Sequence, residues 1–220
     1  MSGRTRRIAA AISAAMAALA VTISVLPLIW EPQTSAELAA PMLIPRPIVT
    51  AILLAVPAAV ASIAVIRRSR LMLVTAGLLA LFQSFVAFSG VTLGFLLPAL
   101  LLIVLGVRAG ESDNRLRPSW RRLATGVLVI GLVVSAWLVV LGTSETVCWI
   151  ARLGPDGTPI YRQIPVTDTI SVAPSEIGGG CDSGVPTAAG LLTGGVLILG
   201  ALALAWSGSA AEIPAKQKTD

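Results

Sequence analysis

Two cysteines, Cys148 and Cys181, have the most specific side-chain chemistry in this 220-residue chain. They are too far apart for a Cys-X-X-Cys redox motif and too few for a four-thiolate zinc or iron–sulfur site. Histidine is absent. The chain therefore cannot by itself supply bis-histidine haem ligation, a Ser-His-Asp triad, or histidine-ligated zinc, copper or di-iron. No catalytic residue, metal ligand or cofactor is expected. The remaining polar candidates are mild and lie in apolar surroundings: Gln83, Ser84, Thr92, Ser135 and Thr193. An amide such as Gln83 in lipid seeks a hydrogen bond on a neighbouring helix.

Those surroundings define the elements that must hold these residues. Hydrophobic residues make up 55% of the chain and charged residues only 12%, against about 25% charged in soluble domains. Too little polar surface exists to face water, so the solvent is largely lipid. A bilayer core of about 30 Å takes roughly 20 apolar residues in a helix. Runs of that kind cover 8–30, 48–66, 71–88, 91–107, 123–142 and 187–206. The first follows Arg4, Arg6 and Arg7, as a signal peptide would, but it exceeds the usual apolar length of one and reads as an uncleaved anchor. Residues 71–107 carry no charge and as one helix would span roughly 55 Å. Ser89-Gly90 is the natural break, giving a helical hairpin or, alternatively, a re-entrant pair. Pro57 predicts a kink in the second span. Thr34 and Glu37 have capping-box spacing for a short interfacial helix over 35–43.

The basic residues orient these runs. Lys and Arg are retained in cytoplasmic loops. With six spans, thirteen of them fall on one side: Arg4, Arg6, Arg7, Arg67, Arg68, Arg70, Arg108, Arg115, Arg117, Arg121, Arg122, Lys216 and Lys218. Only Arg46, Arg152 and Arg162 fall on the other. Both termini are thus expected in the cytoplasm and the protein in the plasma membrane. The net charge of +5 is accounted for by topology, so nucleic acid is not an expected partner. Anionic lipid headgroups are attracted to such clusters in any case.

The one sizeable polar segment is 143–186. Strand formers over 146–153 and 158–165 flank Gly154-Pro155-Asp156-Gly157, which reads as a β-hairpin. Ser, Pro and Gly residues follow, ending in Gly178-Gly179-Gly180-Cys181. Facing the oxidising side, Cys148 and Cys181 are expected to form a structural disulfide. A loop this small cannot bury a core of its own and needs such a staple. Trp149 and Tyr161 are expected to pack across the hairpin or on the membrane surface, with a ligand contact as the alternative.

The expected fold is therefore an all-α integral membrane protein: a six-helix transmembrane bundle with a short, disulfide-stapled extracytoplasmic β-hairpin loop. Its organisation is an N-terminal membrane region over 1–142 with five spans, the extracytoplasmic loop over 143–186, the sixth span over 187–206 and a cytoplasmic tail over 207–220. Gly90/Gly94 and Gly190/Gly194 have small-xxx-small spacing, which lets helices approach closely within the bundle or against another protein. No charged side chain falls within the apolar cores, although ion-coupled carriers ordinarily need one. The composition resembles that of a bacterium with a GC-rich genome. The leading functional reading is a non-catalytic accessory or assembly subunit, or an interaction scaffold, with a membrane protein or a second copy as partner. A small transporter or channel is the second, its path lined by Gln83, Thr92, Ser135 and Thr193. Thiol exchange at Cys148 and Cys181 is the third.

Overall fold

A computed structural model describes residues 1–30, 46–86, 92–111, 120–165 and 176–208. Helix α1 runs Gly3–Trp30, α2 Arg46–Arg67, α3 Arg70–Val86, α4 Leu96–Glu111 after a 3-10 turn at Thr92–Phe95, α5 Trp120–Gly142 and α6 Ala188–Gly208. Strands β1 (Glu145–Leu153), β2 (Pro159–Ile164) and β3 (Glu176–Val185) lie between α5 and α6 in sequence. The expected break at Ser89-Gly90 and the expected helix over 35–43 fall outside the described residues.

Among the described residues, α1, α2, α5 and α6 contain stretches long and apolar enough to cross a bilayer: Gly3–Leu26, Pro47–Arg67, Trp120–Gly142 and Ala188–Gly208. The apolar parts of the other two, Arg70–Phe85 and Leu93–Ala109, are shorter. At 17 residues, α3 is about 26 Å long, a little under the hydrocarbon thickness. Among the described residues there are thus four membrane-competent helices and two shorter apolar ones, with residues 87–91 between the latter outside the described set.

Serine caps explain where the helices start. The Ser2 hydroxyl accepts the Thr5 amide at 3.2 Å, which places α1's first turn around Arg4, Arg6 and Arg7. Between α2 and α3 the chain turns in two residues. The Ser69 amide donates to the Ala64 carbonyl at 2.9 Å, and Arg68 adopts a left-handed φ of 58°. This six-to-one bond closes α2 in the manner usually reserved for glycine, while the Ser69 hydroxyl accepts the Met72 amide to open α3.

The chain divides into two compact units. One comprises Met1–Val21, Leu54–Val134 and Leu197–Asp220; the other comprises Thr22–Leu53 and Ser135–Val196. In the first, α3 and α4 form an antiparallel pair at very short range. A β-carbon on Gly77 would stand 2.8 Å from the Ala99 carbonyl oxygen, and one on Gly106 would stand 3.0 Å from that of Arg70. Two glycines thus bring the backbones together, and Arg70 and Arg108 end at the same end of the pair. Ser13 of α1 donates to the Ala58 carbonyl of α2 at 2.8 Å, as Ser62 does at 2.9 Å, and the two hydroxyl oxygens lie 2.7 Å apart.

In the second unit α5 leads into the sheet and α6 leads out. The Thr187 hydroxyl caps α6 by accepting the Gly190 amide at 3.1 Å. Buried Gly190 lies against Thr143, and a β-carbon on Gly194 would meet Val140 at 2.6 Å. The Gly190/Gly194 spacing is used within the chain, to pack α6 on the last turns of α5.

Candidate functional site

The sheet is ordered β2-β1-β3, with β1 antiparallel to both neighbours. The expected hairpin is present as β1 and β2, and the glycine-rich stretch beyond it forms a third strand. Glycine is a poor strand former because it brings no side chain to pack. Here β1 supplies what is missing. Cys148 lies directly opposite Cys181 and the two are joined in a disulfide. Trp149, opposite Gly180, lays its indole over that strand: a β-carbon on Gly180 would meet the ring at 3.2 Å.

Val147 and Trp149 share one face of β1 by the two-residue repeat, and Cys148 and Ile150 share the other. Trp149 packs against buried Val147 and Val185. Tyr161 meets it edge-on across the β1–β2 pair, with centroids 5.7 Å apart and planes at 65°. Such a pair contributes about 0.5–1.5 kcal/mol beyond the area it buries. Cys148 is buried, whereas Cys181 is exposed. The disulfide, the indole and the phenol therefore build a small folded unit whose base, Glu145 paired with Val185, joins the ends of α5 and α6.

The β1–β2 turn is closed by the Gly154 amide on the Thr158 carbonyl at 2.8 Å and the Gly157 amide on Gly154 at 3.0 Å. Gly157 has φ +78°, which suits glycine alone among common residues here. The Thr158 hydroxyl and then its amide donate to Asp156, at 2.7 and 3.3 Å. These bonds hold the Asp156 carboxyl below its ordinary value.

The expected polar residues of the helices differ in burial. Gln83 is fully buried on α3 and engaged by a neighbour there. Ser135 and Thr193 are exposed on α5 and α6. Gly94 faces Leu19 of α1, where a β-carbon would stand 3.2 Å from the leucine methyl. Gly90 lies outside the described residues, as does the side chain of Thr92. Gln83 belongs to the first compact unit, and Ser135 and Thr193 to the second.

Sequence reasoning named Ser84 but not the way in which such hydroxyls bond along their own helices. Thr75 donates to the Leu71 carbonyl at 3.0 Å, Ser84 to Ala80 at 2.9 Å, Ser62 to Ala58 at 2.9 Å and Thr125 to Arg121 at 2.9 Å. Each reaches the carbonyl four residues back, the pattern that lets a hydroxyl sit in an apolar helix. It also passed over Arg67, whose guanidinium carbon lies 3.9 Å from the centre of the Trp206 ring. A residue pair separated by most of the chain carries no signal in spacing.

This geometry defines a membrane-embedded, mostly helical protein that carries one disulfide-stapled three-stranded sheet. No family model, curated protein or solved structure matches the chain.

Proposed function

We propose that this is a non-catalytic membrane protein of the bacterial plasma membrane. In this reading it crosses the bilayer six times with both termini cytoplasmic, and it serves as an accessory or assembly subunit or an interaction scaffold. The observation that carries the reading is a set of helix hydroxyls committed to backbone carbonyls. Ser13, Ser62, Thr75 and Ser84 direct their hydroxyls to backbone carbonyls. A hydroxyl held in that way has committed its one proton to the backbone and has none to offer a passing anion or polar solute.

The face of α5 turned away from its neighbours supports a partner. Gly131 has no atom within 4 Å of where a β-carbon would stand. Ser135, one turn on, is exposed, and Leu128 and Leu138 flank them at 55% and 64% exposure. Small residues at this spacing allow another helix to approach closely. The side of the sheet is assigned by the arginines: thirteen of the sixteen basic residues fall opposite it in a six-span arrangement.

Purification from native membranes in mild detergent tests the assembly. A stoichiometric larger complex that Gly131→Leu dissociates is expected. A monodisperse single chain, unchanged by that substitution, refutes it. Topology is tested by single-cysteine labelling from outside the cell, with modification at position 156 and none at position 113.

A second reading, a small transporter or channel, rests on the burial of Gln83 in α3. Gradient-driven uptake into liposomes by the protein alone, abolished by Gln83→Leu, is the result that establishes it over the first.

A further inference from the structure

Arg67 ends α2, in the last turn where a cation is favoured by the helix dipole. Its guanidinium lies on the face of the Trp206 indole, 3.9 Å from carbon to ring centre. Contact with the ring face holds the guanidinium there by a cation–π attraction. Its Nε is buried and has no hydrogen-bond acceptor among the described residues. A buried, charged donor group without an acceptor ordinarily marks a place where one binds.

The surroundings name the kind of acceptor. Arg68 follows in an exposed, left-handed turn, and Arg70 opens α3. With a second arginine adjacent, the acceptor that suits the Arg67 Nε is an anion. A planar guanidinium with adjacent arginine charge suits a phosphate oxygen.

The depth of the corner sets the source. Ile66, directly before Arg67, is 57% exposed, and Trp206 is 46% exposed. Leu199, at 68%, and exposed Ala203 lie on the same face of α6 as Trp206, at intervals of four and three residues. Seven residues of helix give an apolar strip about 10 Å long that ends at the indole. Tryptophan in this position lies at the headgroup level of a bilayer. An acyl chain along Leu199 and Ala203 carries its headgroup to Arg67.

We propose that Arg67 stacked on Trp206, with Arg68 beside it, binds the phosphate of an anionic phospholipid whose acyl chain lies along Leu199 and Ala203 of α6. The site is distinct from the general attraction of anionic lipids to basic loops, because it depends on one stacked guanidinium.

Native mass spectrometry of the purified full chain with added phosphatidylglycerol or phosphatidylcholine is the test. The wild type is expected to retain phosphatidylglycerol at least about fivefold over phosphatidylcholine. Arg67→Gln and Trp206→Leu are each expected to bring that ratio close to one, and Arg121→Gln to leave it nearly unchanged. Arg67→Lys keeps the charge without the planar fork and is expected to lower the ratio at least about twofold. It carries the test if Arg67→Gln does not fold, as judged by gel filtration and an intact Cys148–Cys181 bridge. Equal retention of the two lipids by the wild type overturns the proposal, as does an unchanged ratio in Arg67→Lys and Trp206→Leu. Loss of the bound lipid to inorganic phosphate at constant ionic strength overturns the lipid assignment in favour of a soluble anion.

Discussion

Gly77 of α3 faces the carbonyl of Ala99 on α4 so closely that a β-carbon on the glycine would lie 2.8 Å from that oxygen and 2.6 Å from Ile103. Carbon at that distance from backbone cannot be absorbed by a side-chain rotation, so the helices must part. Gly77→Val is expected to destabilise the protein by about 1–3 kcal/mol, the usual cost of overpacking. Gly131→Ala, in open space, is expected to cost nothing. Thermal unfolding of both variants in the same detergent, followed by helical circular dichroism, checks the contrast.

The Cys148–Cys181 bridge closes a loop with a sequence separation of 33. In the chain-entropy account a loop of that length restrains the unfolded state by roughly 4 kcal/mol. Replacing both cysteines with alanine is expected to unfold the sheet and leave the helices intact. Trp149 and Tyr161 then lose their edge-on contact. Loss of near-ultraviolet signal with unchanged helical circular dichroism is the expected observation, and peptide mapping without reductant should find the wild-type cysteines linked.

Hydrogen bonds from the Thr158 hydroxyl and amide lower the pKa of Asp156 in the folded turn. A group whose folded pKa is depressed contributes stability above its unfolded value, about 3.9 for aspartate. That contribution is lost as pH falls through the lower folded value. Amide exchange at Thr158 should therefore stay slow through neutral pH and, after correction for intrinsic rates, accelerate only below about pH 4. In Asp156→Ala the corrected exchange should be faster throughout and show no such step.

Arg68 occupies a left-handed conformation, φ 58°, in which a β-carbon crowds the carbonyl. Arg68→Gly is expected to stabilise the α2–α3 corner by about 0.5–1 kcal/mol, the relief of strain less the added freedom of the unfolded chain. Arg68→Val is expected to destabilise it. Unfolding midpoints of the two variants should move in opposite directions.

Much of the architecture is legible in composition and pattern. The apolar runs around 8–30, 48–66, 123–142 and 187–206 correspond to α1, α2, α5 and α6, because lipid leaves a helix no choice but to satisfy its own backbone. The β1–β2 hairpin is equally local: Gly154-Pro155-Asp156-Gly157 carries its own turn chemistry. The third strand is not local. Gly178, Gly179 and Gly180 have no strand preference, and β3 exists because β1 offers an edge, a sulfur and an indole to cover it.

By itself, then, the sequence determines the solvent, the main helices, the hairpin turn and the range of chemistry that two cysteines and no histidine allow. These follow from side-chain type and short-range spacing, which a chain carries before it folds. Tertiary structure alone decides that Gly77 and Gly106 join α3 to α4 and that Gly190 and Gly194 face α5. It also sets Arg67 upon Trp206. The reason is geometric: these contacts depend on the rotation and distance of helices about their axes, and small or stacked residues register those only when a neighbour has arrived.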